Sequence, residues 1–179
     1  MSAIDTKYSE LGGKTGFLGN PTGEEKNCPD GVGRFRHFQG GSIYWHPLTG
    51  AHEAHGLIRA KWFKLGWEKS ALGYLKTDES ASKAGRRYNQ FQGGTILWKS
   101  GASEAFETHG AIRSKWGSLG WESGFLGFPT TDETKTPDGI GRFNHFEHGS
   151  IYWKPTISAH EVHGLIRKLW AEQGWEKKE

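Results

Sequence analysis

Residues 38–45 read FQGGSIYW, and the pattern returns as FQGGTILW at residues 91–98 and as FEHGSIYW at residues 146–153. A short β-branched and aromatic run after a glycine break predicts a β-hairpin. The nine tryptophans follow the same period, because they fall into three sets of three equivalent positions. Those positions are 45, 98 and 153; 62, 116 and 170; and 67, 121 and 175. The chain is therefore a tandem repeat.

Two further motifs give the repeat its length of about 54 residues. Leu-Gly begins at residues 18, 72 and 126, and Gly-Trp-Glu begins at residues 66, 120 and 174. We interpret the 179 residues as one repeat domain, 1–179, without linkers. Its predicted parts are a cap helix at 1–13 and repeats at 14–67, 68–121 and 122–179.

Each repeat closes on a segment that predicts an amphipathic helix. In the first repeat, His55, Ile58, Trp62 and Leu65 have the spacing of one helical face, and Gly66 is the predicted C-terminal cap. In the third repeat the helix is expected to start at Ala159. Ile4, Tyr8 and Leu11 match Ile58, Trp62 and Leu65, which predicts the extra N-terminal helix. The predicted fold class is α+β, with three tandem β-hairpin–helix repeats and that extra helix.

Composition excludes several classes of protein. The net charge is +3, from 23 basic and 20 acidic residues, which gives little attraction to nucleic acid. No apolar run approaches the roughly 18 residues that span a bilayer, so no membrane insertion is expected. The polar N-terminus does not resemble a signal peptide, and Cys28 has no second cysteine for an internal disulfide.

Some polar positions are identical in all three repeats, and we interpret these as structural ion pairs, caps and buried histidines. In the first repeat they are Glu25, Arg34, Glu53, His55, Arg59 and Glu68.

Other polar positions are present in repeats one and three but lost in repeat two, which predicts two equivalent ligand sites. Tyr44 alternates along its strand with Ile43 and Trp45, so if those two are core, Tyr44 is an exposed platform for a sugar ring. Asp, His and Arg side chains would hydrogen-bond the sugar hydroxyls. The candidate sugar-binding residues are Asp30, Arg34, His37, Tyr44 and His52, with Asp138, Arg142, His145, Tyr152 and His160.

Metal binding and catalysis find little support in the sequence. His52 and His55 lie three apart, as do His160 and His163, and on a helix each pair would share a face. Zinc usually needs three or four ligands, so neither a metal nor another cofactor is expected. Cys28 occurs once and no acid stands out from its repeat partners as a catalytic candidate, so the protein is not expected to be an enzyme.

The LGFPTTDE motif at residues 126–133, the glycine hairpin and the AHEVHGLIRK segment from Ala159 resemble the LGFP repeat. The resemblance covers roughly residues 4–176. Members of that family carry such repeats in actinobacterial envelope proteins, beside mycolyltransferase or amidase domains, where they are thought to anchor the protein to cell-wall polysaccharide. It also implies β/α units arranged about a pseudo-symmetry axis, like the blades of a propeller.

The resemblance implies a non-catalytic, multivalent carbohydrate-binding protein whose partner is a glycan or cell-wall polysaccharide. Since neither an attached catalytic domain nor a signal segment is recognised, a free-standing lectin is expected. The alternative is an envelope-associated structural or protein-interaction module without sugar specificity. Localisation is extracellular or envelope-associated if a signal peptide was removed, and cytoplasmic otherwise. The sequence is compatible with a homo-oligomer but does not establish one.

Overall fold

The computed structural model describes residues 1–82 and 85–175, and it confirms the α+β repeat fold. Each repeat is a four-stranded antiparallel sheet followed by a helix, and one further helix precedes the first sheet. Lys83, Ala84 and Glu176 lie outside the described residues. Lys83 and Ala84 belong to the segment of repeat two that is equivalent to the Asp30 turn, and Glu176 is the repeat-three equivalent of Glu68.

The strands of repeat one are β1 (Lys26–Asn27), β2 (Arg34–His37), β3 (Gly41–His46) and β4 (Gly50–His55). Those of repeat two are β5 (Ser80–Ser82), β6 (Arg86–Gln90), β7 (Gly94–Lys99) and β8 (Phe106–His109). Those of repeat three are β9 (Thr134–Lys135), β10 (Arg142–Phe146), β11 (Gly149–Lys154) and β12 (Ser158–His163). Within each sheet the strands lie in chain order.

The helices are α1 (Ala3–Glu10), α2 (Gly56–Leu65), α3 (Gly110–Ser118) and α4 (Gly164–Glu172). Gly66 ends α2 with a φ of 101°, and its amide donates to the carbonyl of Phe63, as predicted for a C-terminal cap.

The predicted hairpin of each repeat is present, but the segment after it was wrongly assigned to the helix. Residues 52–55 form part of β4, in register with β3 from Tyr44↔His52 to Gly41↔His55. The helix begins only at Gly56, whose φ of 52° turns the chain out of the strand. Likewise, Ala159 lies in β12 and not at the start of α4.

The chain forms two compact units, Met1–Ala105 and Phe106–Glu179. In the first unit, α1 packs against β3 and β4, and α2 packs against its own sheet and against β7 of the next repeat. In the second unit, α3 packs in the same way against β11 and β12. Helices therefore cover the sheets of the repeats that follow them. The predicted single domain and its pseudo-symmetry axis remain predictions.

The core of the first unit follows from this packing. Trp62 is fully buried, as predicted, and lies in one cluster with Tyr44, Ile58 and Phe91. Ile43 lies in a second cluster under α1, where Ile4 is also buried and Trp45 packs from the edge. The two clusters occupy opposite faces of the β3 strand, because neighbouring residues of a strand point to opposite faces.

Candidate functional site

Tyr44 is not the exposed platform that the sequence predicts, since only 3% of the residue is accessible. Its ring stacks on Phe35 at a centroid distance of 5.2 Å and meets Trp62 edge-on at 4.5 Å. The prediction assumed that one face of the sheet is free, whereas α1 covers the Ile43 face and α2 covers the Tyr44 face. Burial raises the pKa of the Tyr44 hydroxyl well above its usual range.

His37 lies beside Tyr44 in the same packed cluster. Its Nδ1 is 2.7 Å from the Ser42 hydroxyl, which also accepts a 2.6 Å hydrogen bond from Arg59 Nε. The Arg59 guanidinium in turn lies 5.3 Å from the ring centroid of Trp67. Desolvation, with the positive charge of Arg59, lowers the pKa of His37. These contacts hold a neutral histidine inside the fold.

Repeat three builds the same cluster. His145 Nδ1 is 2.6 Å from the Ser150 hydroxyl, Arg167 Nε donates to that hydroxyl at 2.8 Å, and the guanidinium of Arg167 lies 5.3 Å from the Trp175 ring. Tyr152 is half-buried, and its ring centroid lies 4.6 Å from that of Trp170. The histidine and tyrosine that repeats one and three share, and that predicted a ligand site, therefore pack inside the fold in both repeats.

Asp30 and Asp138 stabilise turns. The Oδ1 of Asp30 accepts hydrogen bonds from the amides of Val32 and Gly33, and its Oδ2 accepts one of 2.5 Å from the Tyr74 hydroxyl. The bond from Tyr74, followed by that from Val32, lowers the pKa of Asp30. Asp138 accepts from the Ile140 amide and the Thr136 hydroxyl in the same manner. Such local bonds are the usual reason for Asp in a Pro-Asp-Gly turn.

The predicted pairing of His52 with His55 on a helix is wrong, because both lie on β4, where residues three apart point to opposite faces. His52 contacts Asp78 Oδ1 at 3.2 Å and the carbonyl of Thr49 at 2.9 Å. His160, exposed on β12, contacts the carbonyl of Ile157 at 2.8 Å. Among the described residues, no group of three or more His, Cys, Asp or Glu side chains has the arrangement of a metal site.

A cavity of about 830 Å³ opens in the first unit, where the end of β4 meets the first residues of repeat two. Its polar lining comes from residues that the sequence analysis assigned to structural roles, together with Asp78. Its apolar lining includes Phe17 and Trp98. We call it the junction pocket. Its ionisable side chains are Glu53, His55, Asp78, Glu79 and Arg87.

A hydrogen-bonded ion network forms the polar wall of the junction pocket. His55 Nδ1 is 2.8 Å from Glu53 Oε2, and its Nε2 is 3.4 Å from Glu79 Oε1. Arg87 Nε donates to the same oxygen of Glu79. Both carboxylates are buried, whereas the side chains of His55 and Arg87 are partly open to solvent. The hydrogen bond that His55 donates to Glu53 raises the pKa of His55.

Backbone contacts place this network. The amide of Glu79 donates to Glu53 Oε1 at 2.9 Å, and the amide of Glu53 donates to Asp78 Oδ1 at 3.1 Å. Lys7 of α1 donates to Asp78 Oδ2 at 3.0 Å. Burial raises the pKa of Asp78, but hydrogen bonds from His52 and Lys7 outweigh it and lower that pKa to about 2. The three acids are thus fixed between β4, α1 and the start of repeat two.

The second unit contains the same network one repeat later. His109 Nδ1 is 2.8 Å from Glu107 Oε2, its Nε2 is 3.2 Å from Glu133 Oε1, and Arg142 Nε lies 3.6 Å from that oxygen. The amide of Glu133 donates to Glu107 Oε1 at 3.1 Å. The hydrogen bond that His109 donates to Glu107 raises the pKa of His109, and burial raises that of Glu133.

Of the predicted site residues, this network includes Arg142. Arg34 occupies the equivalent place in repeat one and pairs with Glu25 at 3.3 Å, while Glu25 accepts a hydrogen bond from Ser2 of the N-terminal segment. An Arg–Glu pair is therefore present at this place in all three repeats, in agreement with the structural ion pairs expected at the repeated polar positions. The signal for the pocket was present in the sequence as Glu, His and Arg at constant spacing. It was missed because structural ion pairs repeat just as regularly.

The comparisons with known proteins bear on the repeat itself. The LGFP repeat family matches residues 18–70, 72–124 and 126–177. No curated protein matches the chain. In the part of the chain that the structure describes, none of the helices has the length and apolar character needed to cross a membrane.

Proposed function

The chain belongs to the LGFP-repeat family, and from this premise we propose that it is a non-catalytic carbohydrate-binding protein for cell-wall or surface glycans. The observation that carries the proposal is the junction pocket, which combines aromatic side chains with a wall of hydrogen-bonding charges. A sugar ring presents C–H faces that pack on aromatic rings and hydroxyls that need several polar partners.

The lining of the junction pocket supports this ligand class in detail. Phe17 is exposed and lies 4.8 Å from the His55 ring, so an aromatic surface stands directly beside the ion network. The partly exposed carboxylate of Asp78 can accept hydrogen bonds from hydroxyls, and the partly exposed guanidinium of Arg87 supplies donors. Because the chain's own hydrogen bonds hold this wall in place, binding would need little reordering of side chains.

Recognition without bond cleavage is part of the proposal. A glycosidase uses a pair of carboxyl groups of which one is a protonated acid and the other a nucleophile or base. Glu53 and Glu79 instead accept hydrogen bonds from one histidine, and Glu79 also accepts one from Arg87. Both carboxylates are buried and bonded within the fold, so they are not placed as such a catalytic pair.

The experiment is a titration of cell-wall polysaccharides and their oligosaccharides against the full chain, preceded by a glycan array to choose the ligand. Phe17→Ala removes the exposed aromatic wall and is expected to weaken binding by about tenfold, the equivalent of roughly 1.4 kcal/mol. Arg87→Gln removes the guanidinium donors and should also weaken binding. Phe63→Ala is the matched control, because Phe63 is an exposed aromatic residue of the same unit that does not line the pocket.

Two results would count against the proposal. If the unmodified chain binds no glycan on the array, the structural or protein-interaction module becomes the better assignment. If it binds glycans and Phe17→Ala and Arg87→Gln both retain full affinity, the binding site lies elsewhere on the chain.

A further inference from the structure

Helix α4 presents an apolar surface to solvent. The exposed fractions are 83% for Leu165, 75% for Ile166 and 56% for Leu169. These residues lie at spacings of three and four, so they form one stripe along the helix. The side chains of Lys168 and Glu172 are exposed on the same helix and form an i,i+4 ion pair. The helix is thus amphipathic, with its apolar stripe in water.

The isoleucine of this stripe is buried on the other three helices. Ile4 of α1, Ile58 of α2 and Ile112 of α3 are equivalent to Ile166 in the repeat, and each is only 1% exposed. Those helices pack against a sheet of the following repeat, which covers that isoleucine. Helix α4 packs against β11 and β12 of its own repeat. The face of α4 that corresponds to the docked face of the other helices is therefore not covered by any element of the described chain.

One substitution separates α4 from the helices that dock on a sheet. At the position of Leu169 the other helices carry Lys7, Lys61 and Lys115, and each of these lysines is ion-paired. Lys61 reaches Glu104 and Lys115 reaches Glu161, both in the repeat that the helix covers. On α4 this lysine is replaced by leucine, which makes its face more apolar than that of the helices that dock on a sheet.

We propose that the α4 stripe is a self-association surface and that two copies of this chain pack α4 against α4 about a two-fold axis. On α2 and α3 the lysine at this position meets an acid of the repeat that the helix covers, whereas Leu169 has no charge to pair with such an acid. A partner that suits Leu169 offers an apolar side chain there, and a second α4 does so. A two-fold contact of this kind is self-complementary and closes after two copies.

Sedimentation of the full chain over a range of micromolar concentrations tests the proposal. We expect the mass to rise with concentration from 20.0 kDa to about 40 kDa, twice the mass of one chain. Leu169→Lys restores the residue that the other helices carry, on a surface position, and should abolish the dimer without unfolding the chain. Leu48→Lys is the matched control, since Leu48 is an exposed leucine of repeat one, and it should leave the dimer unchanged.

A cysteine at the contact tests the geometry. Leu169→Cys should give a covalent dimer on mild oxidation, whereas Leu48→Cys should not, and the native Cys28 is buried. A monomer at every concentration would overturn the proposal. So would a dimer that survives Leu169→Lys, or a mass that keeps growing beyond two copies, which would indicate head-to-tail docking of α4 on another copy's sheet.

Discussion

Two half-buried histidines of this fold have pKa values that their neighbours shift in opposite directions. His55 touches two buried carboxylates, and the hydrogen bond that it donates to Glu53 raises its pKa. His37 lies against the Ser42 hydroxyl, which already accepts a hydrogen bond from Arg59, and burial lowers its pKa. The fold therefore favours the protonated form of His55 and the neutral form of His37.

This difference predicts pH effects of opposite sign on the free energy of unfolding. The contribution of His55 is fully present below the unfolded pKa of about 6.5 and is lost as pH rises through its higher folded pKa. The contribution of His37 is present above about pH 6.5 and is lost as pH falls through its lower folded pKa. Urea unfolding of His55→Gln should therefore approach the unmodified chain as pH rises from 6 to 9.

His37→Gln is the counterpart in the same unit and should approach the unmodified chain as pH falls from 7 to 5. Parallel curves for the two variants, or a His55→Gln defect that grows with pH, would contradict the assigned charge states.

At the scale of elements, the helices differ in what covers them. Ile112 of α3 and Ile166 of α4 occupy equivalent positions, yet one is buried and the other is exposed. Ile112→Ala should lower the free energy of unfolding by about 2–5 kcal/mol, as for other buried large-to-small changes. Ile166→Ala should change it by no more than about 0.5 kcal/mol at concentrations where the chain is a monomer. Chemical denaturation at low micromolar concentration measures both, and equal losses would show that α4 is covered within one chain.

The elements that sequence predicted well are those with local causes. Gly66 needs only its own positive φ to end α2. The spacing of Ile4, Tyr8 and Leu11 in the sequence is by itself enough to indicate α1. Tyr44 and His52 were misplaced because their surroundings depend on distant elements. Alternation along β3 indicates which residues share a face, but α1 and α2 cover both faces. The strand at residues 50–55 owes its register to β3, which a helical reading of its histidines overlooks.

The junction pocket shows the same limit, because its residues come from two repeats. Glu53 and His55 belong to the end of repeat one, whereas Glu79 and Arg87 belong to repeat two. A search within one repeat unit finds only half of the network. Identity at these positions in every repeat reflects a contact between neighbours, which one repeat alone cannot display.

At the scale of the whole molecule, the proposed glycan site and the proposed α4 dimer would make separable contributions to binding a polymer. Two linked copies engage one polysaccharide with a high effective concentration for the second contact, which strengthens binding without changing either site. Leu169→Lys should therefore weaken binding to an immobilised polysaccharide by about 10- to 100-fold. It should leave the affinity for a short soluble oligosaccharide unchanged, because α4 does not line the junction pocket.

Phe17→Ala acts on the site and should weaken both interactions together. Surface-captured polysaccharide and calorimetry with the oligosaccharide provide the two measurements on the same protein samples. If Leu169→Lys also weakens binding of the oligosaccharide, α4 supports the glycan site and not the dimer. If it separates the copies while polysaccharide binding keeps its full strength, one chain already engages the polymer through its own repeats, and the dimer serves another purpose.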